Sequence, residues 1–193
     1  MARPRSFDKN TVLDQVMILF WEKGYGATSM IDIQKATGLK PGSLYDSFGD
    51  KHALFQDALS HYRQTIVRKR LDKLMMPGPA KGRLEEFFND LIEFSLGEGK
   101  KLGCLMSNSA IELAPHDAVI KAQVQDNLVE IAETFCGVIE EGIANGEFKT
   151  TEPAENIARF LTSTVQGLRV MAKSSTTKET LTTTARLALK ILD

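Results

Sequence analysis

The chain has 193 residues, of which 42% are hydrophobic and 25% charged, with a formal net charge of −1. This is the balance of a soluble globular protein, long enough for one large or two small domains around a real core. No run approaches the ~18 apolar residues that a membrane span needs, the start Met1-Ala-Arg-Pro-Arg-Ser lacks the apolar centre of a signal peptide, and Cys104 and Cys136 form no disulfide framework; a cytoplasmic protein is expected.

Helical periodicity dominates, and an all-α fold is expected. Val12, Val16, Leu19 and Phe20 follow i, i+4, i+7, i+8, so a first amphipathic helix should run from about Asp8 to Lys23 and stop before Gly24. Ser29 or Thr28 can N-cap a second, short helix with Ile33 and Ala36 on one face, and Gly38 sits where a helix stop needs positive φ. Pro41, with φ preset and no N–H to lose, opens a third helix through Ser47. Two short helices around a glycine turn form a helix-turn-helix, whose second helix enters the DNA major groove; an ordinary α-hairpin has the same spacing. Phe20, Ile33, Leu44 and Phe48 are the expected core of this module, with Trp21 and Tyr25 at its rim.

The run Phe20-x-x-x-Gly24-Tyr25-x-x-Thr28, then Ile33, Gly38, Gly42-Ser43-Leu44-Tyr45, Phe48, Lys51 and Leu54-Phe55, resembles the N-terminal signature of TetR-type (tetracycline repressor family) regulators. The resemblance implies that Thr28 caps its helix and touches a phosphate. It further implies that Lys40, Pro41, Gly42, Ser43, Leu44 and Tyr45 form the groove-facing surface and that Lys51 contacts a phosphate. Arg3 and Arg5 are expected to add minor-groove or phosphate contacts, as basic N-terminal arms do in other DNA-binding proteins. Gln34, Pro41 and Asp46 depart from the family pattern, so the operator sequence cannot be borrowed from relatives. An Asp near phosphates is unfavourable unless it accepts from a cytosine amino group or pairs with a cation such as Lys40. Residues 1–70 carry 11 Lys and Arg against 7 Asp and Glu, whereas residues 71–193 carry 13 against 18. The basic end is the end with the motif, as phosphate attraction requires.

From Asp50 a longer helix carries Leu54, Phe55, Ala58, Leu59, Tyr62 and Ile66 and should join the parts. The domains are therefore read as 1–50, binding DNA, and 51–193, binding an effector and dimerising. Met75-Met-Pro-Gly-Pro-Ala breaks the helical path. Leu84 to Ser95 form the next amphipathic stripe, ending near Gly97-Glu-Gly99, and a short helix follows from Leu105 to Leu113, broken by Pro115. A long helix with Val124, Leu128, Ile131, Phe135, Val138 and Gly142 ends at Asn145-Gly146. Two last helices, about Pro153 to Lys173 and Lys178 to Leu192, flank Ser174-Ser-Thr-Thr.

One groove-binding helix reads only a few base pairs, so a homodimer on a palindromic double-stranded operator is expected, held by the last two helices through Leu161, Val165, Gly167, Leu168, Ala185 and Leu189. The alternative is that those helices close the monomer core. An apolar pocket with a few polar groups is expected from Phe87, Phe88, Leu91, Phe94, Cys104, Met106, Asn108, Glu112, Phe135 and Gln166. The resemblance implies that a small-molecule effector binds among these helices.

Cys104 follows Lys100-Lys-Leu-Gly103 and opens a helix, so cations and the helix end could lower its thiol pKa and make it a sensor of electrophiles or oxidants; as a small hydrophobe it could equally be core. His52, His61 and His116 lie at unrelated positions, so neither a metal nor a cofactor is expected. The reading is a homodimeric repressor released by an effector or by Cys104 modification. The alternatives are an effector-binding protein with an altered DNA module, and an enzyme using Cys104, His116 and Asp117. No phosphate loop or paired-carboxylate signature supports catalysis.

Overall fold

A computed structural model describes residues 7–193. It is all-helical, with no strand among the described residues and no described helix long and apolar enough to cross a membrane. Helix α1 (Lys9–Lys23) begins at Asp8, whose carboxylate accepts from the backbone of Asn10 and Thr11. Helix α2 (Met30–Thr37) begins with a reciprocal capping box between Ser29 and Asp32 and ends at Gly38, φ 67°. Helix α3 (Pro41–Phe48) starts on its proline. Val16, Phe20, Ile33, Leu44 and Phe48 close the small core between the three. Lys9 Nζ donates to Ser47 O at 3.1 Å and Lys23 pairs with Asp32 at 2.9 Å, tying α1 to both motif helices.

Helix α4 (Lys51–Tyr62) packs along α1, with Phe55 edge-on to Phe20 at 4.8 Å. It runs through a π turn at Arg63–Val67 into α5 (Arg68–Leu74), a break in regularity that the expected single stripe did not contain. Helix α6 (Ala80–Leu96) has no side-chain cap of its own; Glu147 accepts from the Ala80 and Lys81 amides at 3.1 and 3.2 Å. Helices α7 (Leu105–Glu112), α8 (Ala118–Ala144), α9 (Ala154–Lys173) and α10 (Lys178–Leu189), with a 3-10 turn at Lys190–Leu192, complete the chain. Phe87, Phe88 and Phe135 pack as a mutual aromatic cluster at the centre of this larger part.

Trp21 is not at a rim. It is buried, edge-on to Tyr62 at 4.9 Å, and its indole N–H donates to Gly103 O at 3.2 Å, so it fastens α1 to the second part. Tyr25 is half-buried between His52 and Phe55.

Candidate DNA-binding surface and effector cavity

Lys40, Pro41, Gly42, Ser43 and Tyr45 form one exposed surface at the start of α3, with Tyr45 50% exposed. Leu44 belongs to the module's core instead, because its side chain lies on the opposite face of the same helix. Thr28 is likewise 1% exposed: its hydroxyl donates to Gly24 O at 2.6 Å, and Ser29 is the helix cap. Lys51 is half-buried with Nζ 4.2 Å from the centre of the Tyr25 ring, a cation-π seat that fixes its stem beside α3. Asp46 is exposed and pairs with no cation among the described residues, Lys40 included, which leaves acceptance from a cytosine amino group as the other way to tolerate it beside DNA. Arg3 and Arg5 lie outside the described residues.

Helix α7 holds this module from both ends. At its C-terminal end the exposed Glu112 carboxylate accepts from the Tyr25 amide at 3.0 Å and the Gly26 amide at 2.6 Å. Gly24, φ 82°, leaves room for this approach: a Cβ there would lie 3.0 Å from Glu112 Oε2. Beyond α7, Asp117 caps α8 and pairs with His52 of α4 at 2.5 Å. Glu112 is therefore a clasp to the DNA module and not a pocket residue. Cys104, His116 and Asp117 do not assemble either: the thiol meets Tyr62, Asp117 meets His52, and His116 is exposed.

At its N-terminal end α7 borders a cavity of about 30 Å³ lined by Tyr62, Arg70, Phe87, Leu91, Cys104, Asn127, Gln166 and Arg169 with neighbouring aliphatic groups. Of the residues expected to form a pocket, Phe87, Leu91, Cys104 and Gln166 line it. Phe94 stacks on Trp21 at 6.0 Å beside it. Phe88, Met106 and Phe135 are packed core, and Asn108 is occupied by Leu102 O and Lys173. Sequence reasoning missed Tyr62, Arg70, Asn127 and Arg169, whose inward orientation only tertiary packing reveals.

Cys104 is 5% exposed and caps α7, with its Sγ 3.7 Å from the Tyr62 hydroxyl. Burial alone would raise its thiol pKa, but the Arg169 charge, the Ser107 amide and hydroxyl, and Tyr62 together outweigh it and hold the thiol below its ordinary value. The cation responsible is Arg169, and the exposed Lys100 and Lys101 are not among the causes. Cys136, half-buried, shifts the other way through burial and then Glu140.

The expected dimer face is mostly internal. Leu161, Val165, Leu168 and Ala185 are buried within one chain and Leu189 is half-buried, because the main apolar stripes of α9 and α10 close the monomer core. Gly167 alone of the set is exposed, with Phe160 (46% exposed), Val170 (52%) and, on α10, Leu187 also facing outward.

Comparison with known proteins places two matches along the chain: the model for bacterial regulatory proteins of the tetR family over residues 12–58, and the tetracyclin repressor-like C-terminal domain over residues 80–188. The chain is 28% identical over 191 residues, covering 98% of it and 91% of the relative, to the HTH-type transcriptional repressor ComR of Escherichia coli (strain K12). It is 27% identical over 197 residues, covering all of both chains, to the HTH-type transcriptional regulator YezE of Bacillus subtilis (strain 168). Among solved structures, a cysteine mutant of the TetR family regulator CifR complexed with 26-bp double-strand operator DNA matches at a TM-score of 0.87 and 29% identity, over 99% of this chain and 100% of that one.

Proposed function

The chain belongs to the tetR family of bacterial regulatory proteins and is a DNA-binding transcriptional regulator; from that premise we propose that it is a homodimeric repressor that leaves its operator when the cavity around Arg169 is filled by a small molecule or when Cys104 is modified. The observation that carries this reading is α7, which borders the cavity at Cys104 and clasps the DNA module through Glu112 one short helix away. Any ligand that prefers a different position of α7 must weaken operator binding by the factor by which operator weakens the ligand.

In this reading residues 1–50 bind DNA and 51–193 receive the effector and dimerise, with α4 shared between them. Lys40, Pro41, Gly42, Ser43 and Tyr45 meet base edges and sugar-phosphate, and Lys51 a phosphate. The dimer forms on the outward faces of α9 and α10 through Phe160, Gly167, Val170 and Leu187, where no Cβ obstructs approach at Gly167. Two recognition helices related by that two-fold axis call for a palindromic double-stranded operator.

The test is a gel shift against DNA from upstream of its own gene, with and without candidate effectors and thiol reagents, for wild type, Cys104→Ser and Cys136→Ser. Release of wild type by an electrophile, lost only in Cys104→Ser, supports the thiol route; release by a noncovalent compound in all three supports the cavity route. Failure to retard any genomic fragment would leave an effector-binding protein with an inactive DNA module.

A further inference from the structure

The cavity carries a charge problem that its own walls do not solve. Arg169 is 4% exposed; one guanidinium nitrogen donates to Gly103 O, while Nε has no partner. Arg70 shares the cavity wall, and both guanidinium carbons flank the Phe94 ring, at 4.3 Å for Arg70 and 5.8 Å for Arg169. Neither has a carboxylate partner among the described residues; the acid nearest in effect, Asp90, is engaged with Lys73. Burial first, and the Arg169 charge second, press Arg70 below the ordinary arginine range.

Asn127 adds a second, independent sign. It is fully buried in α8 on the same cavity wall, and both its amide nitrogen and its carbonyl oxygen lack partners. An unsatisfied buried amide costs ~1–3 kcal/mol, so its position here calls for an occupant. A water could hydrogen-bond to Asn127 but would bring no charge to the arginines. Cys104, whichever form its thiol takes, can balance at most one of the two.

We propose that this cavity receives a small organic anion: a carboxylate head held by Arg169, Arg70 and the Asn127 amide, on a compact apolar body seated against Phe87, Leu91 and Ile131. A carboxylate matches the planar guanidinium fork and accepts from the amide N–H₂ at once. The proposal names the effector class for the reading given above and rests on it. At about 30 Å³ the space holds little more than water, so such a ligand must spread the walls. One wall, carrying Tyr62, Val67, Arg70 and Leu71, is the rod from α4 through the π turn into α5, and α4 is packed on the DNA module. Entry of the anion therefore displaces the element that positions the recognition helix.

The test uses the full-length protein with benzoate and hexanoate against their neutral counterparts benzamide and hexanamide, read by thermal denaturation, calorimetry and operator release. Expected are a rise in Tm and operator release with at least one carboxylate, with its neutral amide binding at least about tenfold more weakly, as loss of a charge-assisted contact implies. Arg169→Gln should abolish the response. Should that variant not fold, Asn127→Leu and Arg70→Gln, checked for cooperative melting, should each reduce carboxylate affinity at least about tenfold. Amides as effective as carboxylates, no carboxylate bound at millimolar concentration, or undiminished binding in Asn127→Leu and Arg70→Gln would overturn the anion site. Carboxylates that bind in an Arg169-dependent way without releasing operator would uphold the site and overturn the effector reading. Release by a neutral compound or electrophile alone would do the reverse.

Discussion

Glu112→Ala removes the clasp between α7 and the DNA module. One carboxylate accepts from the Tyr25 amide at 3.0 Å and the Gly26 amide at 2.6 Å. A hydrogen bond to a charged group contributes ~1.5–3 kcal/mol net, but Glu112 and Gly26 are exposed and the two bonds divide one carboxylate charge between its two oxygens, so about 1.5–2 kcal/mol for the pair is the reasonable magnitude. At ~1.4 kcal/mol per decade this is roughly a 10- to 30-fold fall in the population of the clasped arrangement. Amide hydrogen exchange at Tyr25 and Gly26 reads that population directly, and the ratio of operator affinities with and without effector should shrink alongside it. Ile111→Ala, at an exposed neighbour on the same helix, is the control and should change neither. The clasp would be refuted if exchange at both amides in Glu112→Ala stayed within twofold of wild type. A double-mutant cycle adds a check. Gly24→Ala places a Cβ 3.0 Å from Glu112 Oε2 at φ 82°, so part of its cost should vanish in the Glu112→Ala background while the backbone strain remains.

Lys51→Ala should weaken specific and nonspecific DNA alike and reduce the salt slope by about one unit, whereas Ser43→Ala should change sequence preference; fluorescence anisotropy across a salt series separates the two. Asp46→Asn removes a negative charge from the proposed DNA-facing surface, where it has no cation partner among the described residues, and should tighten nonspecific DNA binding, read in the same titrations. Val170→Glu, or Gly167→Glu, should yield a folded monomer by sedimentation, since two like charges would meet across the proposed two-fold contact; a dimer of wild-type stability would move the interface elsewhere. The Ile120 amide, and next His52, hold the Asp117 carboxyl below its ordinary 3.8. A depressed carboxylate contributes stability that is present above that value and lost as pH falls below it through the folded pKa, so Asp117→Asn should flatten the acid-side loss of stability in urea titrations.

The DNA module was legible because its signals are local. Gly38, Pro41 and the Ser29 cap act on their own backbone, and Phe20, Ile33, Leu44 and Phe48 close a core within some thirty residues of chain. The same locality misled at Leu44 and Thr28, where the family motif marks positions without saying which face of the helix each side chain occupies. It misled again at Cys104, where adjacent lysines suggested the charge that Arg169 supplies from α9. The C-terminal position and small residues of the last two helices point to a dimer face that includes Leu161, Val165 and Leu168, but these three lie on the strongest apolar stripe of α9, and that stripe faces its own core. The weaker second face, Phe160, Gly167 and Val170, stays exposed and is the face on which the proposed dimer rests. Asn127 and Arg70 gave no signal at all, since a polar residue on a helix reads as solvent-facing until the neighbouring helices are placed.

Besides the packing of α1 on α4, several polar contacts around the DNA module gather on the stretch from Gly103 to Asp117. Trp21 of α1 and Arg169 of α9 both donate to the carbonyl of Gly103, Glu112 holds the loop after α1, and Asp117 holds His52 of α4. In the proposed mechanism a displacement of α7 would therefore be felt by α1, by its following loop and by α4, three of the supports on which α3 is mounted. The Gly103 carbonyl is the sharpest of these points, because the guanidinium proposed to meet an anion is the same one that shares this acceptor with Trp21. A ligand that draws Arg169 toward the cavity competes directly with the bond next to the α1 anchor. Coupling of this kind needs no long relay of side chains: the cavity and the DNA module are separated by one peptide carbonyl at one end of α7 and one carboxylate at the other, and each is a discrete contact that is either made or broken.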